Sequence, residues 1–283
     1  MAITRKFILF IAHSCGHSFV LPNIKFLMYD SRLVSVIDAL HRVGLSCLKV
    51  AGHLRLNSTN EPGQKPASLS RAEAGLFNAA QRAAETNPWF TVDFITMALE
   101  GINVMLHPLA LQSWLSDYRQ GSSGKKIRVI MAGNLPLVGF HDMLCVLISG
   151  HRLLARCSSQ DAYLPPSMGR LMAEHYPPWE DQIHFDTGDT ADFDAVIATG
   201  SNNTARYFEH YFRNLPSIIR QNRHSLAIID PDISESELSA LGQDVFAYFG
   251  RGCRSVSQIW LPPEFPLLRL QDAWKQYESW LRH

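Results

Sequence analysis

The sequence predicts an α/β fold, a parallel β-sheet covered by helices on both faces and preceded by a helical region. Two observations predict it. From residue 31 to 56 and from 69 to 118 apolar residues recur at helical spacing. After the polar, glycine-containing linker RQGSSGKK (119–126), short apolar runs alternate with amphipathic segments of helix length.

In the helical region, NSTNEPGQKPAS (57–68) is rich in turn-forming residues and separates two helical segments. Within the second, Asn87-Pro88 breaks the pattern, and Thr91 is placed to cap the helix that follows. Beyond the linker the order is strand IRVIMAG (127–133), helix PLVGFHDMLCVLISG (136–150), strand RLLARCS (152–158), helix PPSMGRLMAEHY (165–176) and short strand IHF (183–185). Then come strand FDAVIATG (193–200), helix TARYFEHYFRN (204–214), strand SLAIID (225–230), helix ISESELSALGQDVFAYFG (233–250) and strand VSQIWLP (256–262). The last helix opens on a capping box, Ser234 with Glu237 three residues on.

With 283 residues, 46% hydrophobic and 18% charged, the chain has the composition of an ordinary globular protein of about two domains. Its 26 basic side chains balance 26 acidic ones, so net charge gives no reason to expect a nucleic acid or an anionic membrane as partner. Small anionic ligands remain open through local clusters. The cysteines, Cys15, Cys47, Cys145, Cys157 and Cys253, are odd in number and form no C-x-x-C pair, which reads as reduced thiols in a cytoplasm. HSCGH (13–17) sets two histidines around a cysteine, but no second ligand pair follows, and no metal is expected. Residues 1–30 begin like a weak signal peptide, Arg5-Lys6 and then an apolar run over 7–12. That run is too short for a signal core or a membrane span, so an N-terminal extension without integral membrane association is expected.

Ligands on open parallel sheets sit at the carboxyl ends of the strands, and three such ends are unusual: AGNLP (132–136), RCSSQD (156–161) and ATGSNNTARYF (198–208). In the third, Gly200-Ser201-Asn202-Asn203 opens a helix, where unused N–H groups and small polar side chains gather at a positive helix end; plain helix capping explains the same residues. Near the end of the chain Cys253 follows Gly250-Arg251-Gly252 and precedes Arg254-Ser255. Glycines permit a tight turn and close approach, and neighbouring arginines favour a thiolate. Free cysteines are also commonly inert, and the residues alone leave both readings open.

Asn134-Leu135-Pro136, Arg156 with Ser158-Ser159, Thr199-Gly200-Ser201 and Gly250-Arg251-Gly252-Cys253 follow the order and approximate spacing of the W-N-x-P, K-P-S-E, T-G-S and G-Q-x-C motifs of the aldehyde dehydrogenase superfamily. More closely, GNLPLVGFHDMLCVLISGH, DFDAVIATGSNNTARYFEHYF and YFGRGCRSVS resemble the acyl-CoA reductase family within it, to which the fatty-acyl reductase of bacterial light emission belongs; NPWFT (87–91) fits its helical start. The resemblance covers roughly residues 31–262 and implies an aldehyde-dehydrogenase-like, Rossmann-type sheet. It implies that Cys253 attacks a fatty acyl-CoA thioester, that Asn134 helps hold the oxyanion, and that reduced nicotinamide releases the acyl group as an aldehyde. Arg156, Ser158, Gly200 and Ser201 would bind the cofactor. Arg156 stands where the superfamily has lysine, and a guanidinium suits a 2′-phosphate, so NADPH is expected.

Hydrolytic members of the superfamily carry a water-activating Glu in E-L-G-G-K, whereas the corresponding stretch here, IIRQNRHSLAII (218–229), has no acidic residue. Hydride transfer needs no such base. The expected organisation is an extension (1–30), a helical region (31–124), a Rossmann-like cofactor-binding domain (125–249) and the start of a catalytic domain (250–283). The family continues well past the cysteine, so a truncated member with weak turnover, self-associating through an uncovered strand VSQIWLP, is expected; a homo-oligomer fits the superfamily. Two alternatives are a cofactor-binding remnant acting as an interaction subunit, and a cysteine thioesterase with His141 as base.

Overall fold

The computed structural model describes residues 31–57, 68–118, 124–186, 192–221 and 223–282. The expected extension with its HSCGH stretch, most of the 57–68 link and most of the 119–126 linker lie outside the described residues. The chain divides between Gln221 and Asn222 into two compact units, described in turn.

The first unit opens with helix α1 (Ser31–Asn57), whose Val36, Leu40, Val43, Cys47, Val50 and Leu54 are buried. Alternating steps of four and three residues keep them on one face. That face packs on α3 (Val92–Met105), which Thr91 caps by accepting the Phe94 N–H. Helix α2 (Arg71–Thr86) starts with a capping box between Ser70 and Glu73 and packs against the sheet-side helix α6 (Leu164–His175). Glu73 is buried and does more than cap. Its carboxylate also accepts from Ser46 Oγ (2.8 Å) and Lys49 Nζ (2.8 Å) on α1, while Ser46 Oγ lies 2.9 Å from His175 Nε2. Helix α4 (Pro108–Leu115) turns 60° from α3 and adds Leu111 and Leu115 to the same core. Among the described residues no single helix is long and apolar enough to cross a membrane.

Strands β1 (Lys126–Ile130), β2 (Arg152–Arg156), β3 (Ile183–Phe185), β4 (Ala195–Thr199) and β5 (Ser217–Arg220) form one parallel sheet in the order β3-β2-β1-β4-β5. Central β1 buries Ile127, Arg128 and Val129 in succession, as a strand covered on both faces must. Arg128 is accommodated by Asp186 Oδ2 at 3.1 Å and by the Phe193 ring, 5.2 Å from its guanidinium carbon. Helix α5 (Phe140–Ile148) follows β1, and α7 (Asn202–Tyr211) follows β4. The helical region and this sheet share one hydrophobic core.

Two features depart from the sequence reading. Strand β5 carries no clear signal in the sequence, because only two of its four residues are apolar and Ile218 is exposed on the sheet edge. The segments SLAIID and VSQIWLP do not extend the sheet. They form the second unit's own parallel pair, β6 (Ser225–Ile228) with β7 (Val256–Trp260). Between them runs α8 (Glu235–Phe246), opened by the expected Ser234–Glu237 capping box. Helix α9 (Leu267–Trp274) packs on α8, with Trp274 Nε1 donating to the Leu238 carbonyl at 2.8 Å. Ala227, Leu238, Leu241, Val256 and Leu270 form this unit's small core.

Candidate active site

From β1 the chain builds outward to β2 and β3 on one side, and β4 and β5 occupy the other. The strand order therefore reverses between β1 and β4. Loops leaving those two strands diverge, and in open parallel sheets that divergence makes the crevice in which ligands sit. Asn134 lies in the loop after β1, Arg156 and Ser158 at the end of β2, and Gly200 and Ser201 directly after β4. The first unit thus brings five of the six expected site residues to one edge of one sheet.

The loop after β1 is pressed onto the loop after β2. The Met131 N–H donates to the Arg156 carbonyl at 3.0 Å. Gly133 faces Ser158 so closely that a Cβ there would lie 2.5 Å from Ser158 Cβ and Oγ. Leu137, at φ 56, occupies the left-handed region, and its N–H donates to Asp161 Oδ2 at 2.8 Å. Ser158 Oγ accepts from the Gln160 N–H at 3.3 Å, and Asn87 Nδ2 donates to the Gln160 carbonyl at 3.0 Å, which ties the helical region to the same loop. Asp161 is buried. Burial pushes its carboxyl up to about 7, with the N–H groups of Leu137 and Leu164 pulling the other way.

After β4, Ser201 caps α7 by accepting the Thr204 N–H at 3.2 Å. Capping therefore engages its side chain, while the first turn still presents N–H groups that the helix cannot use. The Gly200 N–H donates to the Arg220 carbonyl at 3.1 Å, and a Cβ on Gly200 would meet Thr204 Cβ at 3.0 Å, so this strand-to-helix corner is tight. Arg220, ending β5, binds Asp142 in the first turn of α5, with Nη1 2.6 Å from Oδ2. Asp161 and the Asp142–Arg220 pair carry weight in the sequence only through position. Acidic residues are ordinarily solvated, and nothing local marks these two as partly or wholly buried.

Cys253 belongs to the second unit. The chain enters its turn through Tyr248, Phe249 and Gly250, all left-handed at φ 55, 55 and 66. The turn is closed by the Ser255 N–H on the Gly252 carbonyl (3.0 Å) and the Gly252 N–H on Ser255 Oγ (3.2 Å). Ser225 Oγ donates to the Cys253 carbonyl at 3.1 Å and anchors the turn to β6. Cys253 is exposed, whereas Cys47 is buried and its thiol pushed up to about 12. Burial, and then the charges of Asp142 and Asp161 respectively, raise Cys145 to about 11 and Cys157 to about 12. Among the described cysteines, Cys253 is thus the exposed one, and the other three are held as thiols. Cys15 lies outside the described residues. His141 sits on α5 with Nδ1 3.6 Å from Cys145 Sγ and its ring 5.6 Å from that of Trp114.

Comparison with known proteins adds a family and a fold. The family model described as acyl-CoA reductase (LuxC) matches residues 92–264. No curated protein matches the sequence. Among solved structures, aldehyde dehydrogenase from Bacillus cereus in complex with NAD+ superimposes with a TM-score of 0.54 at 15% identity, covering 87% of this chain and 55% of that one. Aldehyde dehydrogenase KauB from Pseudomonas aeruginosa gives 0.51 at 11% identity over 87% and 55%. A mutant of aldehyde dehydrogenase C from Pseudomonas syringae, complexed with NAD+ and octanal, gives 0.50 at 15% over 88% and 50%. The fold is that of the aldehyde dehydrogenases, and the chain spans about half the length of these relatives.

Proposed function

Since the chain belongs to the acyl-CoA reductase (LuxC) family, we propose that it reduces a fatty acyl-CoA thioester to an aldehyde with NADPH, through an acyl-enzyme on Cys253. In the first half-reaction the Cys253 thiolate attacks the thioester carbonyl. The tetrahedral oxyanion takes hydrogen bonds from the Asn134 amide and the Cys253 N–H, and coenzyme A leaves as its thiolate. Bound NADPH supplies the hydride that turns the acyl group into an aldehyde, and the Cys253 thiolate is recovered. No water-activating base takes part in this scheme, which agrees with a basic residue, Arg220, ending β5.

The residues at the sheet edge fit such a cofactor. Arg156 offers a planar guanidinium for a 2′-phosphate, Ser158 a hydroxyl beside it, and the first turn of α7 N–H donors for phosphate oxygens. The observation that carries the reading is this gathering of Asn134, Arg156, Ser158, Gly200 and Ser201 around the reversal of strand order. The deciding experiment is intact-mass measurement after incubation with a long-chain acyl-CoA. A mass increase of one acyl group, removed on adding NADPH with release of one aldehyde, is expected. Free acid without NADPH consumption would mark a thioesterase, and NADPH binding without any adduct a cofactor-binding subunit.

A further inference from the structure

We propose that Asp161 is a positioning residue for the reduction: by accepting the Leu137 N–H it holds the Asn134 loop in its left-handed turn and clamps it to the loop that carries Arg156 and Ser158. The proposal rests on the reading of Asn134 as an oxyanion donor.

Leu137 has a Cβ and a φ of 56, a conformation that sterics disfavour for such a residue and that persists where surrounding contacts over-determine it. The Leu137 side chain is buried in the core, and its N–H is held by the 2.8 Å hydrogen bond to Asp161 Oδ2. Pro136, directly before, has no N–H to offer, so Leu137 carries the first backbone donor after Leu135. The turn is stitched to itself on both sides: the Val138 N–H donates to the Leu135 carbonyl at 3.3 Å and the Phe140 N–H to the Leu137 carbonyl at 2.9 Å. A shift at Leu137 is therefore passed to Leu135 and to Asn134 beside it.

Asp161 is an expensive residue for this place. It is 2% exposed, and among the described residues its Oδ1 has no hydrogen-bond partner. A buried carboxyl with an unsatisfied oxygen costs more than an apolar side chain of similar size, and what offsets that cost is the pair of backbone N–H groups it receives, Leu137 in the turn and Leu164 at the start of α6. The Asp161 charge adds to burial in keeping nearby Cys157 a thiol. Gly133 against Ser158 is the second point at which the same two loops touch.

The test compares Asp161→Asn, which keeps an oxygen acceptor for Leu137, with Asp161→Leu, which removes it. In the full chain, with a long-chain acyl-CoA and NADPH, kcat and the NADPH KM are measured, and amide exchange of peptides within 132–139 is read by mass spectrometry. In Asp161→Leu the Leu137 amide is expected to exchange at least about tenfold faster. Its kcat should fall about tenfold to a hundredfold, the loss that a misplacement of about an ångström produces, with the NADPH KM within about twofold. Asp161→Asn should recover most of both. Unchanged exchange in Asp161→Leu overturns the proposal. So does fast exchange with wild-type kcat, provided Asn134→Ala loses activity. If Asn134→Ala keeps full kcat, the reading of Asn134 falls and takes the proposal with it, whatever the exchange shows. Should Asp161→Leu not fold, Asp161→Ala, which also removes the acceptor, takes its place in both measurements, with the same outcomes deciding.

Discussion

Gly133 and Ser158 are in direct contact across two strand ends, and the contact leaves no room for even one more carbon: a Cβ on Gly133 would stand 2.5 Å from Ser158 Cβ. The atoms that would have to yield include the root of a side chain that caps its own loop, so the strain cannot be relieved by a rotamer change. Gly133→Ala is expected to cost about 1–3 kcal/mol, as overpacking does elsewhere. Pairing it with Ser158→Gly should return part of that loss, since the clash is with the Ser158 side chain. Urea unfolding of the two single variants and the double variant measures the coupling; additive losses would show that Gly133 serves some other purpose.

Cys253 and Asn134 should fail in different ways. Cys253→Ala is expected to form no acyl adduct, because Cys145 and Cys157 are held as thiols. Asn134→Ala should still acylate, but slowly, with kcat lowered roughly a hundredfold or more for the loss of one oxyanion donor and with unchanged cofactor affinity. Peptide mapping of the trapped thioester and single-turnover kinetics separate the two. A thioester on any other cysteine rules out the assignment.

Arg156→Ala is expected to weaken NADPH much more than NADH, since only NADPH presents a 2′-phosphate to a guanidinium. The measurement is titration calorimetry with both cofactors. Equal losses would place Arg156 at the shared ribose or in the support of the sheet.

Glu73 sets an acid limit on stability. Burial alone would raise its carboxyl, but hydrogen bonds from Lys49, the Ser70 N–H and Ser46, with the Lys49 charge, hold it below the ordinary carboxylate value. A lowered value in the folded state means stability that is present above the unfolded value of about 4.3 and lost as pH falls through the folded one. Glu73→Gln, which keeps an acceptor for Ser70 but loses the charge, should cost about 1–3 kcal/mol at pH 7. The gap between variant and wild type should close as pH drops below about 4. Thermal unfolding from pH 7 to 3 checks this, and a gap that stays constant with pH would contradict it.

Much of this molecule was legible in the sequence, because periodicity and capping act locally. Thr91 and Ser234 cap helices as their spacing implied, and the alternation after residue 126 delivered β1 to β4 in order. The placement of Asn134, Arg156 and Ser201 at or just beyond strand ends was legible for a different reason: each follows a short apolar run that breaks off at small or polar residues. What stayed hidden depends on contacts distant along the chain. Strand β5 exists because β4 templates it, and SLAIID pairs with VSQIWLP because its partner lies beyond α8. Asp161 reads as an ordinary loop acid until the fold seals it beneath Leu137.

The carboxylate of Glu73 also bears on how this unit comes apart. One of its oxygens completes the first turn of α2 through the Ser70 N–H, three residues away, while the other accepts from Ser46, 27 residues earlier on a different helix. A capping box is usually a private matter of one helix, able to form and fray on its own. Here fraying of α2 at its start releases α1, and undocking α1 removes part of the cap. The two helices therefore have no separate opening motions of low energy at this point, and their amides should exchange together, as one cooperative block, instead of in a gradient from the helix end inward.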